Sequence, residues 1–180
     1  MRLATMSDGE RNIVAIERVD QFYNWPDVIP GDPPASILEA IASGKIFTEQ
    51  PVFEGARPLG SKYKLLAPFP RPPRNIICLG KNYAAHAEEF AAGMGENERL
   101  PSAPIVFTKA TTSVAAPGAT IIVSPQVTTS VDYEVELAVV IGRQGRFIPR
   151  DQAFEHVAGY TIINDLSARD LQKRHKQWFL

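Results

Sequence analysis

The sequence predicts an α+β fold, and three observations carry the prediction. Short apolar segments rich in β-branched residues recur along the 180 residues; few stretches keep helical spacing; and strands do not alternate with helices in a regular βαβ repeat. A hydrophobic content of 44% is enough to build a core in a chain of this length. No internal repeat or low-complexity tract interrupts it.

The elements follow in order. "MRLATM" and "NIVAIE" flank the turn-like "SDGER", which predicts a β-hairpin at the start. A short helix is expected over "ASILEAIASG", after Pro33 and Pro34: Ile37, Leu38 and Ile41 share a face and Gly44 can stop it. "PFPRPPR" carries too much proline for a helix or a central strand. A boundary is therefore placed near Leu66 to Arg74, with a small domain over 1–70 and a second over 71–180. Beyond it, "NIICLG" reads as a strand and "YAAHAEEFAAG" as a helix. "PIVFTK", "ATIIVS", "YEVELAVVIG" and "GYTIINDLSARD" then read as strands.

Composition excludes several functions. Nineteen Lys and Arg nearly balance twenty Asp and Glu, giving a net charge of -1, and no basic stripe is present to track a phosphate backbone. Nucleic acid is not an expected partner. No apolar run approaches membrane-spanning length and the first residues lack a signal-type apolar core, so no membrane association and a cytoplasmic address are expected. Cys78 is the single cysteine; it has no disulfide partner within the chain and no activating neighbour in sequence, so it reads as a packing residue.

Three constellations bear chemistry. In "VDYEVELAVVIG" the acids Asp132, Glu134 and Glu136 recur at period two, and on a strand Glu134 and Glu136 would project from one face roughly 6.5–7 Å apart. Between Lys109 and Arg143 no lysine or arginine occurs to neutralise them. A solvated strand face is the ordinary explanation of such a row. Here the following "LAVVIG" is apolar on both faces, as for a strand entering the interior, where adjacent like charges are unfavourable. A divalent cation would remove the repulsion; so would a lysine or arginine from a distant segment.

In "GYTIINDLSARD" an apolar strand runs into Asn164 and Asp165, and Ser167 and Asp170 have capping-box spacing. Asp165 is either a turn residue or a third oxygen ligand; three carboxylates favour Mg²⁺, Mn²⁺ or Ca²⁺ over zinc. Arg169, Asp170 and Gln172, one turn on, are placed to face the same space. In "GKNYAAHAEEF", His86 and Glu89 are three apart and on a helix share a face, which suits a general base with an orienting carboxylate; a surface histidine is the plainer alternative. His156 and His175 lie in polar stretches and read as solvated.

Together, "RNIICLGKNYAAHAEEF", "PIVFTKATTSVAAPGATI", "VDYEVELAVVIG" and "GYTIINDLSARDLQKR" resemble, in that order, the fumarylacetoacetate hydrolase family across residues 75–180. The resemblance implies a mixed β-sheet roll behind a small N-terminal domain. It implies Mg²⁺ or Mn²⁺ on Glu134, Glu136 and Asp165, with His86 as the catalytic base and Glu89 assisting it. It implies that Arg169 and Gln172 contact an oxo or diketo acid, with Lys109 and Tyr133 beside the site, in a homodimer. Members usually continue past "QWFL" with a lysine-bearing segment and closing strands, so the C-terminal part of the roll is expected to be missing. The expected activity is metal-dependent carbon–carbon hydrolysis of acylpyruvate or fumarylpyruvate-like β-diketo acids. The alternatives are an isomerase or decarboxylase of 2-hydroxy-diene-dioate or oxo-dicarboxylate ring-cleavage products and an inactive metal-binding fragment.

Overall fold

The computed structural model describes residues 1–83 and 103–175. The chain opens with an antiparallel hairpin: β1 (Arg2–Ser7) pairs with β2 (Asn12–Arg18), Leu3 opposite Ile16 and Met6 opposite Ile13. Its turn is set by short polar side chains. Asp8 Oδ1 accepts from the Glu10 and Arg11 amides, and Gly9 takes φ +96°, a value that costs glycine nothing. On the other edge of β2 lies β3 (Gln21–Asn24), and β4 (Lys64–Leu65) extends β1, giving the antiparallel order β3-β2-β1-β4.

This small sheet is covered on both faces, which is why β2 reads as the unbroken apolar run "IVAI". Val14 and Ile16 point toward α1 (Trp25–Val28) and α2 (Ile37–Ala42), where Trp25, Val28, Ile29, Ile37, Ala40 and Ile41 complete a buried cluster. Ala4, Met6 and Ala15 face the other way, against Leu59 and Tyr63. Full burial of side chains such as Ile16 or Val14 contributes about 1.5–3 kcal/mol each. Helix α2 is closed by Ser36, whose Oγ accepts from the Glu39 amide, and by Glu39, whose carboxylate accepts from the Ala35 amide. Gly44, at φ +75°, ends it and leads into α3 (Lys45–Thr48). Leu38 is exposed; the buried face is Ile37, Ala40 and Ile41.

The proline-rich stretch is neither helix nor central strand, as expected, and it is tied down. Thr5 Oγ1 donates to the Pro68 carbonyl, the Leu66 amide donates to Thr5 O, and Phe69 packs on the larger cluster.

Beyond it stand β5 (Ile76–Gly80) paired with β6 (Ile105–Lys109), and β8 (Val135–Ile141) paired with β9 (Val157–Asn164). The two-residue strands β7 (Val131–Asp132) and β10 (Ser167–Ala168) pair just beyond the open end of the β8–β9 ladder, and α4 (Arg169–His175) follows. Every pairing among the described residues is antiparallel. The far end of the β8–β9 ladder docks on the first cluster through Val140 and Ala158. Gly142 permits that approach: a Cβ there would stand 2.6 Å from the Ala158 Cβ and 3.3 Å from Ile41 Cγ2.

Several expectations are corrected. β3 was not foreseen, because its turn is Val19-Asp20, with φ +51° and +58° and no glycine or asparagine to announce it. "ATIIVS" forms no strand; Ile121 to Val123 are exposed and unpaired in any described ladder. "YEVELAVVIG" is not one strand with both faces inside. It breaks at Tyr133 and Glu134, and Leu137, Val139 and Ile141 are exposed while Ala138 and Val140 are half-buried. The helix expected over "YAAHAEEFAAG" lies outside the described residues.

Two outcomes follow. Replacing Val19-Asp20 by Asn-Gly relieves a left-handed β-branched residue that is 83% exposed and packs on little, and should stabilise the chain by about 1 kcal/mol in urea unfolding. Ile16→Ala, by contrast, should destabilise it by about 2–5 kcal/mol in the same measurement; an unchanged midpoint would place the main core elsewhere.

Candidate functional site

The open end of the β8–β9 ladder gathers charge. Val135 faces Asn164 and Glu136 faces Ile163, and one step further the Asp165 amide donates to the Glu134 carbonyl at 2.8 Å. Asn164 Oδ1 accepts from the Glu134 amide at 3.2 Å. Backbone bonding thus fixes Glu134 and Asp165 side by side. The period-two alternation survives the break in the strand: Asp132, Glu134 and Glu136 are half-buried while Val131, Tyr133 and Val135 are exposed.

Two cations from distant segments meet the acids. Arg169, at the start of α4, donates from Nε to Asp132 Oδ2 at 3.0 Å and from Nη2 to Glu134 Oε1 at 2.5 Å, and its Nη1 reaches Gln172 Oε1 at 3.2 Å. Ser167 Oγ donates to the other Glu134 oxygen at 3.5 Å. Lys109, the last residue of β6, places Nζ 2.5 Å from Asp165 Oδ1 and 3.4 Å from the Leu166 carbonyl. Both pairs are largely withdrawn from solvent: the side chains are 19% and 22% exposed for Arg169 and Glu134, and 23% and 12% for Lys109 and Asp165. A partner removed from such a pair leaves a charge that water only partly reaches, at a cost of about 1–3 kcal/mol.

Electrostatics follow from these contacts. Burial alone would lower the Arg169 pKa, but the hydrogen bonds it donates to Glu134 and Asp132, reinforced by their charges, hold it above its ordinary value. Cys78, half-buried on β5, has its thiol pKa raised first by burial and then by the charges of Asp165 and Glu136, with Lys109 opposing. As a half-buried residue of a paired strand it packs, and the charges of this site also act on it. That neighbourhood is absent from the local sequence, because strand pairing and not chain order creates it.

The expected site residues are placed unevenly. Glu134, Asp165, Lys109, Arg169 and Gln172 come together through the bonds above, and Glu136 lies close enough to act on Cys78. Tyr133 is on the opposite, exposed set of the alternation. Asp170 turns away, accepting from Thr128 Oγ1 at 2.6 Å and from the Thr129 amide, and the Thr128 bond is the chief cause of its lowered pKa. Ser167 is not a helix cap; it pairs with Asp132 in β10–β7 and helix α4 starts only at Arg169. Ser167 and Asp132 are the two members that sequence reasoning left out of the site, although the period-two row already pointed to Asp132. His156, read as solvated, is half-buried with Nδ1 2.9 Å from the Arg143 carbonyl. His86 and Glu89 lie outside the described residues.

The donor chemistry suits a hard cation, since every candidate ligand is a carboxylate oxygen. Among the described contacts, Arg169 is shared between Asp132 and Glu134, and Lys109 pairs with Asp165. The arrangement, however, is closed: among the described residues no three His, Cys, Asp or Glu side chains converge as a metal-holding group. The carboxylates are engaged instead by Arg169 and Lys109.

Comparison with known proteins places this geometry. Residues 75–180 match the family described as fumarylacetoacetate (FAA) hydrolase C-terminal. The chain is 46% identical to oxaloacetate tautomerase YisK of Bacillus subtilis, over 100% of this chain and 61% of that protein. Among solved structures it resembles a fumarylacetoacetate hydrolase from the psychrophile Exiguobacterium antarcticum, with 36% identity and a TM-score of 0.79 over 99% of this chain and 60% of that one. It also resembles a 5-carboxymethyl-2-hydroxymuconate delta-isomerase from Mycobacterium smegmatis, with 28% identity and a TM-score of 0.67 over 99% of this chain and 60% of that one. The chain thus spans about three-fifths of the length of these relatives. With its α+β fold, its acid-bearing strand end and the family match over its second half, the chain belongs to the fumarylacetoacetate hydrolase family.

Proposed function

We propose that this chain carries the charged face of a keto–enol isomerase (tautomerase) acting on a small oxo-dicarboxylic acid. The observation that carries the reading is the 46% identity, over all of this chain, to an oxaloacetate tautomerase. The likeness to a muconate-type delta-isomerase supports the same reaction class, proton transfer next to a carbonyl. Carbon–carbon hydrolysis of a β-diketo acid remains the second reading, favoured by the likeness to the Exiguobacterium antarcticum hydrolase.

The residues divide the work by their chemistry. Arg169 has a planar donor fork suited to a carboxylate, and Gln172, bonded to it, orients that fork. Lys109, a point charge on a flexible stem at the end of β6, can meet the second carboxylate. His86, assisted by Glu89, would take a proton from the carbon next to the carbonyl and return it at the other end of the enolate system. The same base would instead activate water in the hydrolase reading, so the two readings share every residue and differ in where the proton goes. Mg²⁺ or Mn²⁺, or Ca²⁺ as a further hard cation, would be held by Glu134, Glu136 and Asp165 and would supply Lewis-acid stabilisation of enolate charge.

A homodimer and a cytoplasmic setting belong to the same proposal. For the membrane, the structure gives one fact: among the described residues no helix is long and apolar enough to cross it.

The deciding experiment follows the ultraviolet absorbance of an oxo-dicarboxylate enol, oxaloacetate first, on adding the chain with Mn²⁺, and reads products by proton NMR. Faster equilibration of enol and keto forms without new products is expected. Release of pyruvate and a carboxylic acid from an acylpyruvate, with no effect on enol equilibration, would promote the hydrolase. Arg169→Met should raise KM for the dianion by about tenfold or more, the size expected for loss of a charge-assisted carboxylate contact. His86→Ala should lower kcat by about a hundredfold or more with the fold retained in circular dichroism.

A further inference from the structure

The Lys109–Asp165 pair has an alternative built into it. Asp165 is anchored: its amide is bonded to Glu134 O and its carboxylate is only 12% exposed. Lys109 is not so confined. It stands at the end of β6, its ammonium is on a four-carbon stem, and the Leu166 carbonyl lies 3.4 Å from Nζ as a second acceptor. Whatever competes for Asp165 is therefore accommodated by movement of the lysine and not of the acid.

We propose that Lys109 is a built-in competitor for the divalent cation: its ammonium closes Asp165 when no ion is bound, an entering ion displaces it, and the displaced ammonium becomes the group available to a substrate carboxylate. This rests on the reading of Asp165 as a metal ligand. A divalent ion bound to Asp165 in metal–oxygen contact would lie only a few ångströms from an ammonium that is 2.5 Å from the same carboxylate. Like charges so close repel strongly in a half-buried setting. The Leu166 carbonyl can keep one hydrogen bond while the ammonium swings away. A single positive charge leaves Asp165 as a double one arrives, and the departing ammonium meets an anion. No bond to hydrogen or carbon changes, so the exchange needs no further reactant.

The competing arrangement is co-occupancy, with Lys109 on one Asp165 oxygen and the ion on the other, so that lysine supports the metal. The two differ in sign. Calorimetric titration of the 180-residue chain with MnCl₂ should show tighter binding in Lys109→Met than in the wild type, by about tenfold or more, as removal of a like charge at this range implies. Adding Asp165→Asn to that variant should abolish the gain. Equal or weaker binding in Lys109→Met, with clear binding by the wild type, overturns the competition while leaving the metal reading intact. No binding by either chain overturns the metal reading and the competition with it. Should Lys109→Met unfold, wild-type protein gives an independent readout: acetylation of Lys109, followed by mass spectrometry, should rise several-fold at saturating Mn²⁺ as the ammonium leaves Asp165. Unchanged or reduced labelling at saturation overturns the proposal.

Discussion

Everything at the charged end of this fold depends on one constraint: a row of acids opens an apolar strand, and the strand itself supplies no cation. Like charges at period two share a face and are only partly screened by water once half-buried. The chain resolves this by topology. Arg169 comes from the helix after β10 and Lys109 from the end of β6, and each takes one of the two acids that the β9 terminus brings together. Remove the β8–β9 register and the charges lose both their positions and their partners.

That register is held from the opposite end. Val140 and Ala158 pack on the same buried cluster as Ile16, Trp25 and Ile41, and Gly142 admits Ile41 to contact distance. Nearly all fully buried apolar side chains, Ala4 through Ala67, belong to the first third of the chain. The charged site therefore borrows rigidity from a core to which it contributes half-buried residues only. Meanwhile the outer faces of β8–β9 and β5–β6 expose Leu137, Val139, Ile162, Ile77 and Val106, a composition that sheets ordinarily keep covered.

Local chemistry was the legible part of the sequence. The first hairpin, the α2 helix and strands β5, β6, β8 and β9 are written in alternation and turn residues, and the structure has them. What failed was non-local or disguised. The Val19-Asp20 turn has an aspartate but no glycine or asparagine, and places a β-branched valine at a positive φ, so β3 is not announced by its turn. Capping-box spacing misled at Ser167, whose hydroxyl goes to Glu134, while the same spacing at Ser36 and Glu39, passed over, does close a helix. In the site, residue types and spacing indicated Glu134, Glu136 and Asp165. Which cation would meet them could not be read, because Lys109 and Arg169 are 56 and 35 residues from their partners, and only strand pairing joins them.

The pairs also say something about why such a site exists at all. Two half-buried ion pairs are an expensive way to hold two sheets together, since apolar side chains of similar volume are often neutral or stabilising in their place. Here the arrangement is more than a simple bridge: the arginine is shared between two acids, and a glutamine is bonded to its outer edge. A purely structural bridge would be satisfied by one acid per cation. The shared contacts instead hold the Arg169 guanidinium at one place between Asp132, Glu134 and Gln172, and the packing of Val140 and Ala158 on the first cluster, at the far end of the same ladder, keeps that place from drifting.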